Sequence, residues 1–163
     1  MRLKIQHNME MAHRLSKDTT KCKQIHGHGM QVELVFMNLI EGPNGMAVTN
    51  FGQTIEFGSA KRKFRDYIDS TYDHRLVLNE SDIWAQPVYM MNEDGEVHGN
   101  DQQFLPGLSI VPGEPTVENL AKWIAKWAAE AFQCDAICRI AETRTNGAEA
   151  YAIWTGTTTK VVL

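Results

Sequence analysis

No apolar run in this sequence approaches the ~18 residues that a membrane-crossing helix needs, so no membrane partner is expected. The opening Met1-Arg2-Leu3-Lys4-Ile5-Gln6-His7 alternates apolar with polar residues and lacks the continuous apolar stretch of a secretory leader. Cysteine is scarce. Three cysteines, an odd number, argue against a disulfide framework and fit a reducing, cytoplasmic setting in which thiols stay free. An excess of basic charge is also missing: the formal net charge is −4, so nucleic acid is not an expected partner. The one basic run, Lys61-Arg62-Lys63 with Arg65, falls in a helical pattern and reads as a solvated helix face. Repeats and low-complexity tracts are absent. What remains is a 163-residue chain with 43% apolar residues, enough to build one core and suited to a single domain over 1–163.

Periodicity places the elements. Leu3, Ile5, His7, Met9 and Met11 alternate with polar residues, which predicts a strand with one buried face. Extending the alternation puts His13 on that face. A polar loop follows at Lys17–Lys21. A second strand has Met30, Val32, Leu34 and Phe36 on one face, and His26 and His28 share their parity. A turn at Glu41–Gly45 precedes a first helix, expected from near Thr49-Asn50 to about Tyr72. Asn50 or Thr54 would cap it, and Phe57, Phe64, Tyr67 and Ile68 would be buried. The stretch at about 79–113 is irregular and reads as an elaborated loop insertion with one hairpin. Thr116 opens a second helix, with Glu118 in its first turn and a core face of Leu120, Ala121, Ile124, Trp127, Ala128 and Ala131. It ends near Gln133. Two last strands, near Ala136–Thr143 and Ala150–Trp154, flank a hairpin turn at Asn146-Gly147. The order is two strands, two helices, two strands.

The chemistry gathers in the first two strands. His26 and His28 are two apart and face the same way on a strand, and His13 arrives from the neighbouring strand. Three imidazoles with a fourth position open are the catalytic rather than the structural arrangement for zinc. Copper, nickel and iron also accept imidazole. Cys22 sits in the adjoining polar loop between Lys21 and Lys23, where nearby positive charge would favour the thiolate. Its uses remain open: metal ligand, nucleophile or general base. Cys134 and Cys138 read as structural. Asp73-His74 pairs a carboxylate with an imidazole, a weak signal alone but the acid–base partner that two-way proton transfer needs. Parity puts Glu142 on the apolar face of Ala136, Cys138 and Ile140; the alternative to a ligand there is a salt bridge with Arg139 or Arg144, and Arg139 points the other way. A carboxylate there needs a partner. A ligand with two adjacent N–H donors, such as a guanidine-like or pterin edge, would supply one.

His13, the Cys-x-x-x-His-Gly-His run at 22–28, Asp73-His74, the Pro115-Thr116-x-Glu118-Asn119-Leu120-Ala121 run and Glu142-Thr143 together resemble the 6-pyruvoyl tetrahydropterin synthase and 6-carboxytetrahydropterin synthase family. The likeness covers about residues 3–78 and 112–154. It implies an α+β tunnelling fold (T-fold), a ββααββ antiparallel sheet with two helices on one face. It implies Zn²⁺ on His13, His26 and His28, Cys22 as general base, and Asp73 with His74 as a second proton relay. Glu142 would act in catalysis by anchoring the pterin, with Thr116 and Glu118 lining its pocket. The substrate would be 7,8-dihydroneopterin triphosphate. The assembly would be a trimer or a stacked homohexamer with active sites between subunits. The three-residue gap from Cys22 to His26 resembles the queuosine-pathway (7-deazaguanine) enzymes, carbon–oxygen lyases that release acetaldehyde and leave a 6-carboxy group. The biopterin branch has a longer gap and makes a 6-pyruvoyl product. A folate-pathway variant carries glutamate where this chain has Ile25. Three features depart from the pattern: Asn50-Phe51 in place of Asp-Phe, the long 79–113 segment and the tail Thr155–Leu163. No cluster of cations for a triphosphate stands out; Arg14, Lys21, Lys23 and a neighbouring subunit are the candidates. A non-catalytic pterin- or metal-binding member of the fold is the competing reading.

Overall fold

The computed structural model describes residues 2–37, 55–85 and 107–162. Its strands are β1 (Leu3–His13), β2 (His26–Met37), β3 (Leu76–Asn79), β4 (Leu108–Val111), β5 (Asp135–Ala141), β6 (Gly147–Trp154) and β7 (Thr159–Val162). Its helices are α1 (Phe57–Thr71) and α2 (Val117–Phe132). The strands form one sheet in the order β4-β3-β1-β2-β5-β6-β7. The expected ββααββ frame is present, with β1, β2, β5 and β6 antiparallel at its centre. Three short strands extend it. β3 runs parallel to β1, and β4 parallel to β3, so the sheet is mixed. These strands escape sequence reading because four residues are too few to display a period.

Alternation is what gives the sheet its two faces. Ile5, Met9, Met11, Met30, Val32, Leu34, Phe36, Ala136, Cys138, Ile140, Ala150 and Ala152 share a single core with Ala60, Phe64 and Ile68 of α1 and with the apolar stripe of α2. Both helices therefore cover the same face. Where they meet, Tyr67 stacks on Trp127 with ring centroids 3.9 Å apart. Burial of a ring such as Phe64, 1% exposed, contributes about 1.5–3 kcal/mol. The opposite face is polar. Glu33 accepts from Lys4 at 3.2 Å, Gln6 at 2.7 Å and Arg139 at 3.0 Å, and Arg139 also pairs with Glu149.

Helix α1 starts later than expected. Its cap is Glu56, whose carboxylate accepts from the amides of Gly58 and Ser59. A Cβ at Gly58 would lie 2.7 Å from that carboxylate, so this glycine marks the helix start rather than interrupting a longer helix. Phe57 is correspondingly 41% exposed, not buried. Asn50 and Thr54, the expected caps, lie outside the described residues, as does the hairpin expected within 79–113. Helix α2 follows expectation. Thr116 caps it by accepting from the Asn119 amide, and Gln133 ends it in the left-handed region at φ 51°. Trp127 and Ala131 are half-buried against the core. Lys61, Arg62, Lys63 and Arg65 are exposed, as a solvated face requires. Among the described residues, no helix is long and apolar enough to cross a membrane.

Candidate active site

The register of β1 against β2 builds the histidine cluster. His13 lies directly across from His26, and Met11 across from His28, which sets His28 diagonal to His13 on the same face. Ring centroids are 4.5 Å apart for His13–His26, 5.4 Å for His13–His28 and 5.2 Å for His26–His28. One ring nitrogen from each lies within 4.8 Å of the others, a spacing that can hold one metal ion. Backbone carbonyls fix two of the rings. His13 Nδ1 is 2.8 Å from the Pro115 carbonyl oxygen, and His26 Nδ1 is 2.8 Å from that of Gln24. With Nδ1 donating, Nε2 is left as a free lone pair, the arrangement seen at histidine metal sites. His13 Nε2 is buried and has no hydrogen-bond partner within the protein. Burial lowers the His13 pKa below its ordinary value, against the opposing pull of the Pro115 carbonyl, and so keeps the ring in its neutral, ligating form. The donor set therefore fits a metal.

The cluster forms part of the wall of a cavity of about 750 Å³, which Cys22, Thr116, Glu118 and Glu142 also line. Cys22 is half-buried in a single 3₁₀ turn, Lys21–Lys23, capped by Thr20. The other cysteines are core residues; burial pushes the Cys134 thiol up to about 12 and the Cys138 thiol further. Glu142 Oε1 stands 3.9 Å from His28 Nε2. It projects from the β5–β6 turn, where the Glu142 and Thr143 amides both donate to the Asn146 carbonyl, at 3.0 and 3.1 Å. The alternative pairing of Glu142 with Arg139 does not occur, because Arg139 engages Glu33 and Glu149 on the polar face. Thr143 and Asn146 line the cavity too, as do Leu15, Gln24 and Val117. Sequence reading gave these five no place in the cavity, although Thr143 stands in the Glu142-Thr143 motif and Asn146 in the hairpin turn; their proximity to His13, Cys22, Thr116 and Glu142 was the available signal.

Asp73 and His74 stand apart from this cavity. Asp73 Oδ1 accepts from the Glu10 amide at 2.7 Å, and Asp73 Oδ2 lies 2.5 Å from His74 Nδ1. His74 has φ 54°, in the left-handed region, and its side chain is 80% exposed. The Asp73 hydrogen bond and charge raise the His74 pKa. Partial burial alone would raise Asp73, but the Glu10 amide and His74 prevail and lower it. His74 lines a second, open depression of about 470 Å³ with Glu10 and Arg75. Gly27 and His28 border both hollows. One chain thus brings together the three histidines, Cys22, Thr116, Glu118 and Glu142, and holds the Asp73–His74 pair against Glu10 of β1, in a different hollow. Of the cation candidates, Lys21 lines the main cavity, whereas the Arg14 guanidinium is engaged by Asp82 and the Lys23 carbonyl.

The fold and site define a T-fold protein with an open three-histidine cluster that can hold a metal, beside a cysteine and a glutamate. A family model described as 6-pyruvoyl tetrahydropterin synthase matches residues 2–152, and the chain belongs to that family. It is similar to a Rickettsia typhi protein named 6-carboxy-5,6,7,8-tetrahydropterin synthase, 27% identical over 75 residues, covering 46% of this chain and 49% of that one. A Rickettsia bellii protein of the same name is 27% identical over 112 residues, covering 69% and 68%. The chain spans about half the length of the Rickettsia typhi relative. Among solved structures, it resembles a Plasmodium vivax 6-pyruvoyltetrahydropterin synthase with a catalytic glutamate changed to cysteine, at TM-score 0.64 and 16% identity, over 94% of this chain and 98% of that one. A Plasmodium falciparum 6-pyruvoyl tetrahydropterin synthase gives TM-score 0.63 at 14% identity, with the same coverage.

Proposed function

We propose that the protein is a zinc-dependent carbon–oxygen lyase that converts 7,8-dihydroneopterin triphosphate to 6-carboxytetrahydropterin, acetaldehyde and triphosphate, as in the queuosine pathway. The observation that carries this reading is the convergence of His13, His26, His28, Cys22 and Glu142 on one cavity. The names of the Rickettsia relatives point the same way.

His13, His26 and His28 would hold the zinc, which when bound acidifies the side-chain hydroxyls of the substrate. Glu142 would accept two N–H donors from the amino-pyrimidinone edge and so orient the ring, while Thr116 and Glu118 close the pocket around it. Cys22 would take a proton from the substrate side chain. His74 would deliver or remove the second proton, held in place by Asp73. Because His74 opens onto a different hollow from Cys22, the complete site would form where one chain meets another, in a trimer or hexamer.

The test is to incubate zinc-loaded protein with 7,8-dihydroneopterin triphosphate, identify the pterin by mass spectrometry and assay acetaldehyde. A 6-carboxy product with acetaldehyde is expected. A 6-pyruvoyl product without acetaldehyde would move the protein to the activity for which the Plasmodium structures are named. A Cys22→Ala variant is expected to keep its zinc and lose turnover. Undiminished turnover in that variant would remove the mechanism, and no turnover by intact, zinc-bound wild type would favour a binding role.

A further inference from the structure

The chain between β1 and β2 carries Cys22 in a turn that Thr20 caps locally, and Arg14 ties that turn to the rest of the fold. Arg14 directly follows the ligand His13. Its Nε donates to the Lys23 carbonyl at 2.9 Å, while its Nη1 donates to Asp82 Oδ1 at 2.6 Å. The Asp82 side chain is completely buried, and the Arg14 side chain is only 12% exposed. The Trp84 ring covers the guanidinium at 5.1 Å. Asp82 is itself fixed: Oδ1 accepts from the Trp84 amide at 2.9 Å, and its own amide donates to the Asn79 carbonyl at 2.8 Å. Asn79, at the end of β3, is buried and donates to Glu114 Oε1 at 2.8 Å, and Ser16 Oγ donates to the same oxygen at 2.6 Å. Glu114 immediately precedes the Pro115 carbonyl that orients His13 and the Thr116 that caps α2.

We propose that Arg14 is a positioning residue for Cys22, acting as a strut between the Cys22 turn and the buried Asp82. Two bonds from the β1 side hold the successive carbonyls of Cys22 and Lys23. One is backbone to backbone, from the Leu15 amide to the Cys22 carbonyl at 3.0 Å. The other depends on Arg14 alone. The guanidinium suits this task because its Nε and terminal nitrogens point in fixed, different directions, so it can bond two acceptors at once without losing either. The Asp82 carboxylate, stripped of water, holds the guanidinium in a single orientation. Through Asn79, Glu114 and Ser16, the same network fixes the Cys22 turn relative to the other walls of the cavity. Catalytic groups must hold their place to within a fraction of an ångström, and a brace of this kind sets that tolerance. The link from this brace to turnover rests on the proposed role of Cys22 as base; the brace itself does not.

Arg14→Lys is the discriminating variant. The ammonium keeps the positive charge that buried Asp82 requires, so the fold survives, but a single nitrogen replaces the fork and the bond to the Lys23 carbonyl is lost. Asp82→Asn is the second variant: it preserves shape and the acceptor for the Trp84 amide while removing the charge that anchors the strut. Zinc content and melting temperature establish that each is folded and loaded. Hydrogen exchange then reads the brace, and peptides covering residues 15–24 are expected to exchange at least tenfold faster while those covering α2 stay unchanged. Cys22 gives an independent readout, because both other cysteines are buried. Its alkylation by iodoacetamide is expected to quicken at least threefold as the half-buried thiol is released. With 7,8-dihydroneopterin triphosphate, kcat is expected to fall at least tenfold while KM changes by less than twofold, a split that general destabilisation would not produce. Wild-type exchange and alkylation in both folded variants would overturn the strut. Altered exchange with unchanged kcat would overturn its bearing on catalysis. Absence of turnover in wild type would instead fall on the proposed reaction and leave the exchange test standing.

Discussion

At the scale of single residues, the site depends on histidines whose protonation is set by their surroundings. His13 is buried and its pKa lowered, while exposed His74 has its pKa raised by Asp73. These opposite shifts suit the opposite tasks proposed for the two residues: a ligand must be neutral, and a proton donor must carry its proton near neutrality. The Asp73–His74 pair also has a pH window. His74, raised in the folded protein, contributes stability that is complete below the unfolded value of 6.5 and is lost as pH climbs through the raised folded value. Asp73, lowered, contributes stability present above the unfolded value of 3.8 and lost as pH falls through the lowered one. An NMR titration of the His74 ring is therefore expected to show a pKa above 6.5 that drops in Asp73→Asn. An unchanged midpoint in the variant would deny the pairing. Metal ligation gives a second expectation. Chelation should lower the melting temperature by about 5–10 °C, corresponding to the ~2.7 kcal/mol that a ligand at a hundredfold excess over its Kd adds to the native state. Zinc should restore the loss in the wild type but not in His26→Ala.

At the scale of elements, the β5–β6 turn and the start of α2 are each held by one residue. A Cβ at Gly147 would fall against the Ile140 carbonyl oxygen, well inside contact distance and against backbone that cannot yield easily. Gly147→Ala should therefore cost about 1–3 kcal/mol and disturb the turn that presents Glu142, which equilibrium denaturation together with substrate affinity would detect. Thr116→Ala should cost about 1 kcal/mol, or about 2–4 °C in melting temperature, through loss of the α2 cap. These elements were also the legible ones. The long strands β1 and β2, α2 with its Thr116 cap, and the Asn146-Gly147 turn carry a full period or a defined cap, and their histidines follow from parity alone. Helix α1 was placed too early because Glu56 serves as an unusual cap and Gly58 resembles an interruption. The strands β3 and β4 are short and pair in parallel across an intervening segment, an arrangement that no local pattern encodes. The Arg14–Asp82 strut was invisible for a similar reason: its partners are 68 positions apart, and each reads alone as an ordinary charged residue.

At the scale of the whole molecule, β4 and β7 are the edge strands of the sheet among the described residues, with apolar Ile110 and Val162 exposed there at 39% and 37%. Unpaired edges that carry apolar side chains are templates for pairing with another chain. The proposed chemistry makes the same demand, since Cys22 and His74 line different hollows. If each complete site draws Cys22 from one chain and His74 from the next, neither Cys22→Ala nor His74→Ala can turn over by itself. Mixing is different. When the two variants are co-assembled in equal amounts by reversible unfolding or coexpression, a site receives Cys22 from a His74→Ala chain and His74 from a Cys22→Ala chain with independent chances of one half. About one quarter of the wild-type activity should then return, without any wild-type chain present. Sites contained within one chain would each lack a catalytic group in every subunit and recover nothing. The recovered fraction, measured against the proportion of mixed oligomers seen by native mass spectrometry, decides between the two.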